Sequence, residues 1–236
     1  MKILAFDSSG LVASVAVLEE ERMIAEYTVN YKKTHSQTLL PMLDEVVKMT
    51  ELDLNEIDAI AVAAGPGSFT GLRIGSATAK GLGLALDKPL VSVPTLEGIA
   101  FNYYGCEDVI CPMMDARRKQ VYTGLYTFKD GSMQILKDQT ACPVEEILAE
   151  CNALGRKVIF LGDGVPVYRS IIEEKMQVSY TFAPAHMSRQ RAGAVGMRAF
   201  DYMREDRIET AAQHAPVYLR KSQAERELLA KGKSLE

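Results

Sequence analysis

The run Gly65-Pro66-Gly67-Ser68-Phe69-Thr70-Gly71 most constrains the fold of this chain. It follows a continuous apolar stretch, residues 57–64, that reads as a buried strand. It precedes a helical pattern running from about Leu72 to Leu86. Three glycines let a backbone turn sharply and approach another group closely. The helix after them offers unpaired N–H groups and a positive dipole end, which favour an anion. A buried strand turning into a helix this way places the chain among layered α/β folds. No G-K-[ST] closes the turn, so it is not a P-loop. It nearly matches G-x-G-x-x-G, but Thr70 stands at the third glycine and no acidic ribose ligand is evident downstream. A phosphate cradle and a ligand-free tight turn both stay open, and the residues alone favour the second.

The elements on either side repeat in order. Residues 2–7, 12–18 and 23–30 read as three strands joined by short turns, hence antiparallel. A helix is expected from His35 to Met49, with Thr34 and Gln37 as a capping box. Pro41 either kinks that helix or marks its true first turn. After the glycine turn and its helix come a strand at 89–93 and a helix from Thr95 to about Tyr103. The order then restarts. Strands are expected at 109–114, 120–128 and 132–137, and a helix at 143–152. A strand at 157–161 ends in Gly162-Asp163-Gly164, before a helix at 165–174, a strand near 177–181 and a last helix over 188–203. Asp7 and Asp115 each follow the first strand of a half. Residues 1–104 and 105–211 thus read as two copies of one unit, a mixed sheet with helices packed on it. The segment from about 212 to 236 is expected to pack back on the first copy; from Ser222 onward it is charged and helix-prone.

Charge and cysteine usage narrow the partners. The net charge is −4, so unaided binding to nucleic acid is disfavoured despite the local cluster Arg117-Arg118-Lys119. Cys106, Cys111, Cys142 and Cys151 form no C-x-x-C, and His35, His186 and His214 lie far apart, which argues against a zinc site. Reduced, structural thiols and a cytoplasmic location are expected. No apolar run approaches the roughly 20 residues of a membrane span.

Three groups of residues carry candidate chemistry. Asp7, Ser8 and Ser9 sit in a turn that either holds a metal–phosphate group or satisfies its own N–H groups. Asp115 and Gly162-Asp163-Gly164 pose the same choice in the second copy. Gly71, Gly75, Ala79 and Gly83 lie at i, i+4, i+8 and i+12, a small-residue stripe on which another helix backbone can lie close. That stripe is either a subunit interface or internal packing. His35 reads as a surface residue near the helix cap, since Leu39 and not histidine follows four residues later. Ser36 beside it makes no catalytic set.

Taken together, these residues resemble the bacterial TsaB family, also called YeaZ. The resemblance rests on Asp7-Ser8-Ser9, on Thr34-His35-Ser36-Gln37 with Leu40-Pro41, and on the run from Gly65 through Leu72-Arg73-Ile74-Gly75. Asp115-Ala116-Arg117-Arg118 with Val121-Tyr122, Gly162-Asp163-Gly164, and Pro216-x-Tyr218-Leu219-Arg220 continue it over nearly the whole chain. The resemblance implies a duplicated ribonuclease-H-like fold of the actin and sugar-kinase ATPase superfamily. It implies a non-catalytic partner that activates a TsaD-like threonylcarbamoyl transferase in tRNA threonylcarbamoyladenosine modification, with a TsaE-like ATPase joining them. It implies that tRNA is met only through the complex, and that no metal or cofactor is held except ATP or ADP with magnesium inside it. In the family the partner contact is made by helices of the first lobe, so Gly71, Arg73, Gly75, Ala79 and Gly83 become interface candidates. Asp7, Ser8, Ser9, Gly65, Gly67 and Asp115 become a vestigial nucleotide or phosphate loop. An exposed apolar stripe favours a homodimer when the chain is alone. An ATPase or kinase of the same fold using Asp7 and Asp115, and a peptidase, are the competing readings.

Overall fold

The computed structural model describes residues 1–220. Strand β1 (Lys2–Asp7) pairs antiparallel with β2 (Val12–Glu19), which pairs antiparallel with β3 (Arg22–Asn30). Helix α1 (His35–Thr50) follows, then β4 (Ala59–Gly65), α2 (Phe69–Leu86), β5 (Leu90–Pro94) and α3 (Thr95–Ala100). β4 returns parallel to β1 and β5 parallel to β4, so the first sheet runs β3-β2-β1-β4-β5. The second half repeats this with β6 (Val109–Asp115), β7 (Gln120–Lys129), β8 (Ser132–Pro143), α4 (Val144–Leu154), β9 (Val158–Leu161), α5 (Gly164–Lys175) and β10 (Tyr180–Phe182). Its sheet runs β10-β9-β6-β7-β8, with the same directions at equivalent strands. Helix α6 (Ala192–Arg204) completes the elements. Two sheets in the order three-two-one-four-five, with two hairpin strands antiparallel and two crossover strands parallel, make a duplicated ribonuclease-H-like fold.

Each sheet is buried on both faces. Leu4, Phe6, Val15 and Val17 meet Leu39, Leu43 and Val46 of α1 and Ala79 of α2 on one face of the first sheet. The opposite face, with Ile3, Ala5, Ala16 and Leu18, is covered by Val195, Ala199, Phe200 and Tyr202 of α6. In the second sheet, α4 and α5 cover one face. Leu96, Ile99 and Ala100 of α3 cover Ile110, Tyr126 and Phe128 on the other. The two units therefore exchange their third helices. A buried ion pair ties the exchanged helices together: Arg198 Nε donates to Glu97 Oε2 at 2.8 Å, and Tyr202 OH donates to the same oxygen at 2.8 Å.

Several expectations need correction. The second unit does not keep residues 105–211 to itself, because α6 leaves it for the first sheet. The return to the first unit thus begins before 212. The stretch from Ser222 onward lies outside the described residues. The Thr34 side chain makes no cap bond; Gln37 N–H donates to the Thr34 carbonyl at 3.0 Å instead. Pro41 lies inside α1, beyond its first turn. β8 runs to Pro143 rather than stopping at 137, and α6 starts at Ala192 rather than 188. α2 begins earlier than expected, at Phe69, where Ser68 Oγ accepts the Gly71 N–H at 3.3 Å.

Candidate functional site

The carboxyl ends of β1 and β6, with the turns that follow β4 and β9, face one another across a cleft of about 450 Å³. Ser9, Gly67, Ser68 and Phe69 line it from the first unit, and Asp115, Arg117, Tyr122 and Asp163 from the second. Tyr218, Leu219 and Arg220 close its mouth. This is where a layered α/β fold ordinarily receives a ligand, since the strand order reverses there.

The first turn is built on Asp7. Its Oδ1 accepts the Ser9 N–H at 2.9 Å and the Ser9 hydroxyl at 2.6 Å. Its Oδ2 is buried without a partner among the described residues. Burial pushes the Asp7 carboxyl up to about 6, against the downward pull of both Ser9 bonds. Ser8 Oγ donates to the Gly71 carbonyl at 2.9 Å. Ser8 thus holds α2 to the end of β1 behind the cleft, Asp7 holds its own turn, and of the turn's three candidates only Ser9 reaches the cleft wall. His35 is half-buried rather than a surface residue: its Nε2 lies 2.7 Å from the Gly10 carbonyl and braces the same turn.

The glycine turn is closed by the chain itself. A Cβ at Gly65 would strike the Val217 carbonyl, one at Gly67 the Ser9 carbonyl, and one at Gly71 the Ser8 carbonyl. Gly65 also takes φ +119°, which a side chain resists. The close approach that these glycines permit is therefore spent on protein backbone. Val217 N–H donates to the Ala64 carbonyl at 2.7 Å, which lays the return segment along the end of β4. Tyr218 stacks on Phe69 with ring centroids 4.2 Å apart, and the Arg73 guanidinium sits 4.3 Å over the other partner, Phe69. Arg220 Nη1 donates to the Ala116 carbonyl at 2.8 Å and so straps the first unit to the second.

The small-residue stripe faces inward, which corrects its placement at an interface. Gly71, Gly75, Ala79 and Gly83 are buried against the chain's own sheet. Gly75 lies over the Ser8 side chain, and Gly83 over the Lys88 carbonyl and Ala211. Of the five interface candidates only Arg73 is exposed. The outward face of α2 carries Arg73, Ala77, Gly81, Leu84 and Ala85. It holds a second small-residue row at i, i+4 and i+8, which the sequence contains but the first row masked. A Cβ at Gly81 would meet nothing within 4 Å among the described residues, and Leu84 is 71% exposed.

In the second unit Asp115 Oδ1 accepts the Arg117 N–H and the Tyr168 hydroxyl, each at 2.9 Å. The Asp115 N–H donates to Asp163 Oδ1 at 3.3 Å. Burial raises the Asp163 carboxyl, with Arg189 working against it. Burial and the Asp115 bond push the Tyr168 hydroxyl up to about 12. The hairpin between β6 and β7 places Arg117, Arg118 and Lys119 at φ +64°, +56° and +58°. Each such non-glycine residue costs about 1 kcal/mol or more.

One cluster escaped the sequence. Ser92 Oγ and Glu209 Oε1 both lie 2.8 Å from His214 Nδ1, and Lys80 Nζ donates to the His214 carbonyl at 2.9 Å. Ser92 is 122 residues from His214 in the chain, and the pairing of Leu90 with Glu209 brings it to them. The set is not a serine-protease relay. One ring nitrogen serves both serine and acid, and Nε2 is buried without a partner among the described residues. It anchors the return segment. No His/Cys/Asp/Glu group able to hold a metal is found among the described residues.

The family model described as TsaD, tRNA N6-adenosine threonylcarbamoyltransferase, matches residues 22–228. The tRNA threonylcarbamoyladenosine biosynthesis protein TsaB of Bacillus subtilis is 39% identical, over 74% of this chain and 76% of its own. That of Haemophilus influenzae is 30% identical, over 93% and 94%. Among solved structures, YeaZ from Pseudomonas aeruginosa superposes with a TM-score of 0.80 at 30% identity, covering 92% of this chain and all but 1% of its own. A second structure, described as similar to peptidase YEAZ from Pseudomonas aeruginosa, gives 0.76 at 29% identity, with coverage of 93% and 99%. These likenesses over most of the chain mean that it belongs to the TsaB (YeaZ) family.

Proposed function

We propose that this chain works in the making of threonylcarbamoyladenosine in tRNA, beside the anticodon, as a non-catalytic partner that activates a TsaD-like threonylcarbamoyl transferase. The names of the TsaB relatives support the pathway. The observation that carries the partner role is the outward face of α2. A glycine inside a helix costs about 1 kcal/mol relative to alanine. Among the described residues Gly81 has no neighbour that requires it, while Ala77, Leu84 and Ala85 surround it with small and apolar surface. A second helix can approach such a row closely. A TsaE-like ATPase joins the pair, and ATP or ADP with magnesium acts within that assembly. The closed glycine turn supports this division of labour, because backbone from Ser8, Ser9 and Val217 already fills the approach to it.

The alternative, an ATPase or kinase, draws on the unpartnered Oδ2 of Asp7. Titration of the isolated chain with magnesium ATP separates the two readings, since measurable heat favours the enzyme. Gly75→Leu is not a usable interface probe, because it drives bulk into Ser8. Gly81→Leu combined with Leu84→Glu alters only exposed positions. The variant is expected to fold as before and to lose co-elution with the transferase on size exclusion. Unchanged co-elution rejects this face, and a shift of the isolated chain from dimer to monomer assigns it to a second copy instead. Depletion of the protein is expected to lower threonylcarbamoyladenosine in total tRNA.

A further inference from the structure

The hairpin tip between β6 and β7 lies apart from the glycine turn and from the outward face of α2. Arg117, Arg118 and Lys119 are consecutive, exposed, and all held in the left-handed region. A turn selected for ease would carry asparagine or glycine at such positions. Arg117 reaches Asp115 at 3.5 Å with its own side chain 88% exposed. Among the described residues, no carboxylate pairs with Arg118 or Lys119. Nor does any acceptor among them take the backbone N–H of either residue, whereas those of Arg117 and Gln120 are both bonded. Successive free N–H groups in a tight turn form a concavity suited to an anion. Here the residues that carry them, Arg118 and Lys119, are themselves cationic, and Arg117 precedes them. Arg220, bonded to the Ala116 carbonyl, adds a fourth cation at the tip's base. The stacked pair of Phe69 and Tyr218 stands across the cleft mouth.

We infer that this tip is a phosphodiester-binding site by which the chain itself touches the tRNA backbone. The inference rests on the role in tRNA modification proposed above. Free N–H groups and unpaired cations on an outward tip suit the backbone of a polymer, which supplies phosphates at an open surface. A free nucleotide needs enclosure, and the glycine turn on the facing wall is already filled by backbone. The overall charge of −4 set the expectation that tRNA is met only through partners. Net charge does not report one strained tip whose Arg118 and Lys119 meet no carboxylate among the described residues.

The substitution pair Arg118→Asn with Lys119→Asn tests this. Asparagine tolerates positive φ, so the variant relieves strain while removing both cations. A matched control, Lys32→Asn with Lys33→Asn, changes the net charge equally at another exposed loop. Binding of an unmodified, labelled tRNA transcript by the full chain is followed by fluorescence anisotropy at 50 and 200 mM salt. Two lost phosphate contacts should lower the slope of log affinity against log salt by about 1.4–1.8 and weaken binding at the lower salt about tenfold. The control should keep the wild-type slope. Equal slopes for the tip variant and wild type overturn the proposal, as does an absence of binding by wild type at 50 mM salt. The proposal also falls if the tip variant loses magnesium ATP in calorimetry while keeping tRNA, which would make the tip a nucleotide-phosphate site. Normal threonylcarbamoyladenosine after depletion would defeat the role in modification, while the anisotropy result would still decide the tip.

Discussion

Asp7 shows how a residue legible in sequence can have its use decided by burial. Its place after the first strand marks it as a candidate for phosphate chemistry, but its Oδ1 is committed to Ser9 and its Oδ2 is sealed from solvent. Its carboxyl titrates near 6 in the folded chain, against an ordinary value of 3.8. At acid pH both folded and unfolded states hold the proton. As pH rises through 3.8 the unfolded chain releases it first, so stability falls until the folded carboxyl also ionises near 6. About two units of separation correspond to about 3 kcal/mol. Asp7→Asn removes that titration and keeps an oxygen for the Ser9 donors. Urea unfolding of both proteins between pH 3.5 and 7 is expected to show the variant gaining about 3 kcal/mol on wild type across this window. A difference that stays flat with pH would mean that the Asp7 carboxyl titrates alike in the folded and unfolded chain, against the effect of its burial. Asp115 occupies the equivalent place but has Arg117 N–H and Tyr168 OH on one oxygen. The repeat therefore preserves position without preserving environment, and no spacing in the sequence encodes that difference.

At the scale of elements, α2 explains why the fold was easier to read than the site. Period and turn chemistry identify the helix, and its apolar content requires burial on one side. Two small-residue rows run along it, however: Gly71-Gly75-Ala79-Gly83 and Ala77-Gly81-Ala85. Spacing alone cannot say which row the sheet takes. The sheet takes the first, where Ser8 leaves no room for a Cβ at Gly71 or Gly75 and the Lys88 carbonyl crowds one at Gly83. The two rows should respond oppositely to one methyl group. Gly71→Ala is expected to cost about 1–3 kcal/mol, as overpacking against backbone does. Gly81→Ala is expected to stabilise by up to about 1 kcal/mol, the helix-propensity gain at an open position. Thermal unfolding of both variants checks the pair, and equal signs would refute the assignment of faces. The capping box failed for a related reason. Thr34 and Gln37 have the right spacing, but the Gln37 N–H bonds to the Thr34 carbonyl rather than to its hydroxyl. The early end expected for β8 reflects its mixed, half-exposed second half, which strand patterning alone does not extend.

At the scale of the molecule, the duplication was readable and the exchange of helices was not. The order of elements repeats, and a carboxylate ends each first strand. Amphipathic patterning marks α3 and α6 as buried but carries no address for the sheet that buries them. The chain uses α3 on the second sheet and α6 on the first, joins them through Arg198 and Glu97, and then straps both units with Val217, Tyr218 and Arg220. Helices of each unit thus complete the core of the other, and cutting between the sheets does not separate two domains. A fragment of residues 1–104 contains every strand of the first sheet but leaves Ile3, Ala5, Ala16, Leu18, Ala61, Val91 and Val93 without α6. That exposed face exceeds what a small sheet can leave in water without associating. The fragment alone is expected to show no cooperative thermal transition and poor amide dispersion. Co-expression with residues 105–236 is expected to restore both, because α6 then returns to its face. The intact chain should unfold in one calorimetric transition, with calorimetric and van't Hoff enthalpies in agreement. Cooperative melting of the isolated fragment would show that the first unit is autonomous and that α6 is an accessory to it. A single transition lost only when both pieces are separated would instead establish that the duplicated units fold as one body, with the cleft, the strap and the outward face of α2 held in fixed relation.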